Sequence, residues 1–196
     1  MAVISRGFSG RNREHNPELP PGQYLTEDFP VLSAGPTPAI DIADWTFTVQ
    51  TETGATKWNW DELHALGVED VHTDIHCVTR WSKLGTTWHG VSLDTLFEDV
   101  ETEYDYVMEH SYGGYTTNAP YEDLRDGKAW IAYQFEGEPL DPEHGGPARL
   151  IVPHLYFWKS AKWIRGLTMM KDDDPGFWEQ NGYHIYGDPW QEQRYW

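Results

Sequence analysis

Short runs in which hydrophobic and polar residues alternate dominate the chain after its first 40 residues. In residues 45–50, Trp45, Phe47 and Val49 alternate with polar neighbours, which is typical of a half-buried strand. The same period in residues 71–77 predicts a strand that ends at Cys77 and places His72 and His76 on the side opposite the cysteine. Further strands are predicted at residues 106–108, 130–135, 149–152 and 163–170.

Helical spacing is confined to short segments. Residues 61–66 predict a short helix, capped by Asn59 or Asp61 and closed by Gly67. Ser92 precedes a second helix, because apolar residues recur at 93, 96, 97 and 100, and residues 121–127 predict a single turn. Several strands with few short helices predict the α+β fold class, with mixed β-sheets.

The two ends of the chain have a different pattern. The first 40 residues are rich in Pro, Gly and charge and show no helical or strand period. We expect residues 1–40 to form an N-terminal arm packed on a single domain of residues 41–196, since Tyr24, Phe29 and Leu32 would otherwise be exposed. The aromatic tail, residues 176–196, is expected to pack back on the body.

Charge narrows the classes of partner. The chain has 32 acidic residues against 14 Lys plus Arg, a formal charge of −18, which argues against nucleic acid and anionic lipid as partners. No apolar run approaches the roughly 20 residues of a membrane span, and the N-terminal residues do not resemble a secretory signal, so we expect a cytoplasmic protein without membrane insertion. The acidic composition also favours a salt-rich, halophilic cytoplasm.

Eight of the basic residues lie in two segments without acidic residues. Residues 1–13 contain Arg6, Arg11 and Arg13, and residues 144–171 contain the other five. These five are Arg149, Lys159, Lys162, Arg165 and Lys171. The clustering predicts an anion site, whereas pairing with surface carboxylates is the alternative.

Cys77 is the only cysteine of the chain. A thiolate can bind a transition metal or act as a nucleophile, and a lone cysteine can also be a small buried hydrophobe. A zinc site with His72 and His76 is disfavoured by the predicted strand phase, and a cysteine nucleophile needs a histidine base that no spacing identifies. A non-enzymatic module that binds a sugar or heterocycle on its aromatic residues, among them 11 tryptophans, also stays open.

Four segments, in order, resemble the molybdopterin-binding domain of the sulfite oxidase-like oxidoreductases. They are PPGQYLTEDFPVL, DIHCVTRWSKLGTTWHGVSLDTLF, SYGGYTTNAPYEDL and EGEPLDPEHGGPARLIVPHLYFWKSAKWIRGL. The most specific details are a cysteine followed by Trp-Ser and then by W-x-G-V, and an HGGPxRLxVP strand followed by KSAKW.

The resemblance implies a sulfite oxidase-type domain that binds molybdenum, or tungsten, through one pyranopterin dithiolene of the molybdopterin type. It implies that Cys77 is the metal ligand. Arg80, with Trp81 or Trp88, is the candidate wall of the substrate pocket beside the metal. Cofactor contacts are implied for Arg11, Arg13, Tyr24, His76, Thr117, Asn118, His144, Arg149, Lys159, Ser160 and Lys162.

The implied activity is two-electron oxygen-atom transfer on a small molecule such as a sulfite, sulfoxide or N-oxide, with electrons exchanged with a separate carrier. The run Cys77-Val-Thr-Arg-Trp lacks the CxGxR pattern of sulfite oxidases, which argues against sulfite specificity. The periplasmic methionine sulfoxide reductases carry a glutamate where this chain has Thr79, which argues against that activity as well.

Overall fold

A computed structural model describes residues 17–196, which form two β-sheets with a few short helices. The strands are β1 (Tyr24–Leu25), β2 (Thr46–Gln50), β3 (Ala55–Asn59), β4 (Glu69–His76), β5 (Trp81–Ser92), β6 (Tyr106–Ser111), β7 (Thr116–Pro120), β8 (Trp130–Phe135), β9 (Glu138–Pro139), β10 (Arg149–Ile151) and β11 (Ile164–Met170). The helices are α1 (Trp60–Ala65), α2 (Leu93–Phe97) and α3 (Phe177–Gln180), with 3-10 turns at Ile42–Asp44, Tyr121–Leu124, Pro142–His144 and Phe157–Lys159. The α+β class with mixed sheets is confirmed.

The connection between β10 and β11 is one of several that pass from one sheet to the other. The first sheet has the order β1-β5-β8-β10, with β4 also paired to β5 and β9 to β8. The second has the order β3-β2-β11-β6-β7. Because β10 and β11 follow each other along the chain but lie in different sheets, residues 152–163 cross from one sheet to the other.

The first sheet carries hydrophobic clusters on both faces. Leu150 and Ile131 belong to the main core, which also contains residues of the second sheet such as Phe47. Their neighbours Ile151 and Ala132 belong to a second cluster with Cys77. Since successive residues of a strand point to opposite faces, Cys77 lies on the face of the first sheet that is turned away from the main core.

The predicted helix starts are confirmed. Asn59 caps α1 in a reciprocal capping box with Glu62, and the Ser92 side chain accepts a hydrogen bond from Asp94 N at the start of α2. The five predicted strands outside residues 71–77 are also present, with ends that differ by up to three residues.

The predicted phase of residues 71–77 is confirmed for Val71, Ile75 and Cys77, which belong to one hydrophobic cluster, but the details near the end of the strand differ. The pairing of β4 with β5 shifts between Thr73 and Ile75, as a β-bulge does, and the strand ends at His76. His72 is exposed, whereas His76 is buried near Trp190 of the tail, with its Nδ1 2.8 Å from Ser82 Oγ. A hydrophobic pattern with a strict period of two does not predict such an irregularity in strand pairing.

Both ends of the described chain contact the second cluster. β1 runs parallel to the start of β5, and Phe29 packs among Trp81, Trp88 and Phe157. In the tail, Tyr183 contacts Trp178 and Trp158. The domain boundary at residue 40 stays a prediction, and residues 1–16 lie outside the described part. Within residues 17–196, no helix is long and apolar enough to cross a membrane.

Candidate active site

Cys77 lies at the start of a tight turn that joins β4 to β5. The Cys77 N–H donates to Trp81 O at 2.9 Å, and the Arg80 N–H donates to Cys77 O at 2.9 Å. Arg80 closes the turn with a φ of 82°, a left-handed conformation that is unfavourable for a residue with a side chain. The turn therefore depends on its surroundings for its shape.

A cavity of about 370 Å³ borders this turn. Four separate parts of the chain line it: the arm, the turn after β4, the loop before β7, and the segment from the 3-10 turn before β10 through the tail. Key lining residues are Phe29, Cys77, Thr79, Trp81, Gly113, Gly114, His144, Arg149, Ser160, Lys162, Trp178 and Tyr183. The volume is within the range of small-molecule and cofactor sites.

The thiol of Cys77 is buried and hydrogen-bonded. The side chain is 7% exposed, and Thr79 Oγ1 donates to its Sγ at 3.1 Å. Burial raises the pKa of the Cys77 thiol, and the hydrogen bond from Thr79 only partly offsets this effect. The adjacent His76 directs its Nδ1 to Ser82 Oγ at 2.8 Å rather than to the sulfur. This environment does not activate a cysteine nucleophile.

Two cations face the cavity, Arg149, which is buried, and Lys162, which is half-buried. Arg149 donates to His144 O at 2.8 Å and Ser160 O at 2.9 Å, and the Lys162 ammonium donates to Leu32 O at 2.8 Å. Burial lowers the pKa of Arg149 to about 9 and that of Lys162 to about 8. Among the residues described, neither forms an ion pair, so their positive charge favours an anion in the cavity.

Gly145 lets this cationic wall form. Its φ of +111° is unfavourable for any other residue, and a Cβ there would lie 3.0 Å from Arg149 Cβ and 3.1 Å from Lys162 Cβ. The adjacent His144 ring stacks on Phe29 with centroids 3.9 Å apart. Two segments distant in sequence therefore meet at this point of the cavity.

Two buried nitrogen atoms in the lining lack partners. Within residues 17–196, His144 Nδ1 and Trp81 Nε1 have no hydrogen-bond partner. Such atoms are rare in folded proteins and indicate where a ligand completes the structure. A thiol, two uncompensated cations and two unsatisfied polar atoms fit the thiolate-bound metal and the anionic pterin that the sequence resemblance implies.

The structure brings six predicted site residues to the cavity. They are Cys77, Trp81, His144, Arg149, Ser160 and Lys162. Tyr24, His76 and Arg80 are not part of the lining: Tyr24 belongs to β1, His76 is turned to Ser82, and Arg80 is exposed. Arg11 and Arg13 lie outside the described residues.

Lys159, Thr117 and Asn118 lie in a buried network instead. The Lys159 ammonium is 2.7 Å from the Glu179 carboxylate and donates to Asn118 Oδ1 at 2.9 Å. Thr117 Oγ1 donates to the same carboxylate at 2.8 Å. Burial lowers the pKa of Lys159, opposed by Glu179. Because these groups are occupied by one another, the geometry gives their predicted cofactor contacts no support.

Sequence reasoning missed the aromatic part of the lining and Thr79. Trp178 stacks on Tyr183 with centroids 4.9 Å apart, and both belong to the tail, which was expected only to pack somewhere on the body. The abundance of aromatic residues near the C-terminus was the available signal. It could not indicate which surface the tail covers.

Comparison with known proteins agrees with this geometry. A family model described as the oxidoreductase molybdopterin binding domain matches residues 34–178. The uncharacterized oxidoreductase YuiH of Bacillus subtilis is 43% identical over 189 residues, which cover 94% of this chain and 96% of YuiH.

Two further matches cover less. YedZ1 of Azospira oryzae, named provisionally as a protein-methionine-sulfoxide reductase subunit, is 30% identical over 132 residues, 66% of this chain and 50% of YedZ1. The crystal structure of the sulfane dehydrogenase SoxCD from Paracoccus pantotrophus has a TM-score of 0.64 at 17% identity, covering 74% of this chain and 42% of that one, and shows the shared fold.

These matches decide between the classes that the sequence left open. The relatives named are oxidoreductases, so the non-enzymatic ligand-binding module and the cysteine-nucleophile enzyme lose their basis. The chain belongs to the oxidoreductase molybdopterin-binding domain family, the sulfite oxidase-like enzymes whose cofactor is molybdenum bound to molybdopterin.

Proposed function

We propose that this oxidoreductase binds its molybdenum through Cys77 and catalyses two-electron oxygen-atom transfer on a small molecule. The observation that carries the proposal is the position of the Cys77 thiol in the same cavity as Arg149 and Lys162. When bound, the molybdenum cofactor supplies two-electron redox chemistry and oxygen-atom exchange.

The residues of the chain hold and tune this group. Thr79 donates a hydrogen bond to the sulfur, which withdraws electron density from a thiolate ligand. Arg149 and Lys162 neutralise the anionic end of the pterin. Ser160 Oγ accepts a hydrogen bond from Val152 N, and because a hydroxyl that accepts a hydrogen bond can still donate one, this side chain is suited to donate to an anion.

The substrate that this cavity fits best is a neutral sulfoxide. Trp178 and Tyr183 give the tail side of the cavity an aromatic wall. Arg80, the cation three residues after the cysteine, lies outside the lining. A sulfite dianion would need a further cation beside the metal, whereas the apolar substituents of a sulfoxide pack on aromatic rings. The likeness to YedZ1 supports the same class.

The net reaction is balanced with an external donor. The sulfoxide loses its oxygen and becomes a thioether, and the oxygen leaves as water after uptake of two electrons and two protons. The electrons come from a separate carrier protein, for which a reduced dye is a substitute in the assay.

The cytoplasmic location and the absence of nucleic-acid partners stay predictions.

The test uses holoenzyme purified from a host that makes molybdopterin. We expect reoxidation of a reduced viologen dye by methionine sulfoxide or dimethyl sulfoxide, and little reduction of ferricyanide by sulfite. Cys77→Ser should lose bound molybdenum and dye reoxidation, while Thr56→Ser, on strand β3, should keep both. Full metal content and turnover in Cys77→Ser would overturn the proposal, and sulfite turnover above sulfoxide turnover would reject the substrate class.

A further inference from the structure

We infer that Gln23 and Arg194 act as a pair of positioning residues that hold the Cys77 turn in its metal-binding shape. This inference rests on the proposed function, because it concerns the geometry of the same cysteine. Gln23 lies in the arm and Arg194 near the end of the tail, and both are outside residues 34–178, the part that the family model matches.

Gln23 fastens both ends of the turn. Its Nε2 atom lies 3.1 Å from Cys77 O, 3.0 Å from Trp81 O and 3.2 Å from Ser82 Oγ. These are the residue that carries the thiol and the first two residues of β5. The side chain is 8% exposed, so water competes little for these bonds.

Arg194 orients the glutamine and fastens the middle of the turn. Its Nη2 donates to Gln23 Oε1 at 2.8 Å, which fixes the amide with its nitrogen toward the turn. Its Nη1 donates to Val78 O at 2.7 Å, and the guanidinium lies over the Tyr156 ring, 4.9 Å from the centroid. Arg194 is 4% exposed, and its Nε also lies 3.4 Å from the Glu192 carboxylate, so its side chain has little freedom to move.

The turn needs such support because its own conformation is unfavourable. Arg80 has a φ of 82°, a left-handed conformation that is unfavourable for a residue with a side chain. The main chain of the arm adds one more bond, from Tyr24 N to Arg80 O at 2.8 Å. The carbonyl groups of residues 77, 78, 80 and 81 thus all accept bonds from Gln23, Tyr24 or Arg194.

The close approach of arm and tail points the same way. A Cβ on Gly22 would lie 2.7 Å from Glu192 Oε1 and 3.4 Å from Arg194 Nη2, and Gly22 has a φ of +72°. Arg194 Nη2 also donates to Pro21 O at 3.0 Å. Residues before and after the matched domain therefore meet each other directly at the turn that carries the thiol.

The first test measures the apoprotein and does not depend on the metal. In Gln23→Ala, which changes no charge, the rate of Cys77 alkylation by iodoacetamide should rise about tenfold or more. The reason is that loss of the Gln23 hydrogen bonds favours local opening of the turn. Arg194→Ala should do the same, and the double variant should add little, since the two residues act as one unit. Gln191→Ala, in the same tail segment, and Arg125→Ala, an exposed arginine, are matched controls that should keep the wild-type rate.

The second test measures the holoenzyme. In Gln23→Ala we expect an altered, broadened paramagnetic resonance signal of the one-electron-reduced metal and about a tenfold lower kcat with KM within about twofold. Arg194→Lys keeps the charge but not the planar fork, so it should resemble Arg194→Ala. A wild-type signal in Arg194→Lys would show that charge alone suffices and would overturn the positioning role of Arg194.

The outcomes separate this inference from the proposed function. Wild-type alkylation rates in both alanine variants, at an unchanged unfolding midpoint, would overturn the positioning role whatever the metal does. Faster alkylation in the variants, together with unchanged metal binding in Cys77→Ser, would support the positioning role of Gln23 and Arg194 but reject Cys77 as the metal ligand.

Discussion

Lys162 is the residue whose charge most directly links the structure to cofactor retention. Its ammonium is held by Leu32 O and Glu143 O and has no carboxylate partner among residues 17–196. We expect Lys162→Gln to bind the anionic pterin about tenfold more weakly, because one charge-assisted contact is lost. Pterin fluorescence after oxidative release measures retention. Lys128→Gln, which removes an exposed lysine, should retain wild-type pterin, and equal retention in Lys162→Gln would contradict the assignment.

Glu109 should make stability depend on pH. It is fully buried on β6, Ala161 N donates to one of its oxygens, and burial raises the pKa of the carboxyl well above 4.5, opposed by Lys159. A group with a raised folded-state pKa binds its proton more tightly in the native protein, so stability falls as pH rises above about 4.5.

Glu109→Gln removes this dependence. Between about pH 5 and about pH 7, the unfolding free energy of the apoprotein should fall less in the variant than in the wild type. Urea titrations at the two pH values measure it. Glu98→Gln, an exposed substitution, should leave the fall unchanged, and the same fall in Glu109→Gln as in the wild type would show that Glu109 is ionised in the folded state.

Individual residues of the site differ in how far the sequence could predict them. Sequence motifs mark four residues that the structure places in the lining of the cavity: Cys77, His144, Arg149 and Lys162. Lys159 belongs to the same motif, but its side chain turns to Glu179, since a fully buried ammonium needs a carboxylate and the tail supplies one. Sequence does not contain that choice of partner.

At the scale of elements, strand β5 shows what a hydrophobic pattern omits. It spans Trp81–Ser92, yet only its start was part of a predicted site and none of it was predicted as a strand. Gly85 and Gly90 interrupt the alternation, and the ladder to β8 shifts between His89 and Gly90. Strand β2 was predicted from its even alternation, and β8 from its short, mostly apolar run, because both patterns are typical of strands.

Gly90 should be indispensable to the pairing of β5 with β8. A Cβ at this position would overlap Ile131 O, and the main chain on both sides is buried in the first sheet. We expect Gly90→Ala to lower the unfolding free energy by about 2 kcal/mol or more through displacement of the ladder. Gly54→Ala, where no atom lies within 4 Å of an added Cβ, should change it by less than about 0.5 kcal/mol. Equal stability of the two variants in thermal denaturation would contradict this register.

At the scale of the whole molecule, the charge of −18 predicts that salt stabilises the protein. Raising salt from about 0.1 M to about 1 M shortens the screening length from about 10 Å to about 3 Å and weakens repulsion among surface carboxylates. We expect the unfolding midpoint to rise by several degrees in potassium chloride. A variant with amides at the exposed residues Glu98, Asp99 and Glu101 should respond less, and equal midpoints in dilute and molar salt would reject a salt-adapted surface.

The arrangement of the ends also belongs to this scale. Arm and tail both line the cavity, so the cofactor site is complete only when residues far apart in sequence assemble on the first sheet. Hydrophobic ends predicted that such packing exists, but the meeting of Gln23, Arg194 and the Cys77 turn follows from tertiary structure alone.

The central claim is the bond from the Cys77 sulfur to the metal. X-ray absorption at the molybdenum edge counts sulfur ligands directly in the holoenzyme and in any metal retained by Cys77→Ser. We expect the variant to lose its metal or to keep it with one sulfur ligand fewer than the wild type. An unchanged sulfur count in a fully loaded Cys77→Ser protein would contradict it.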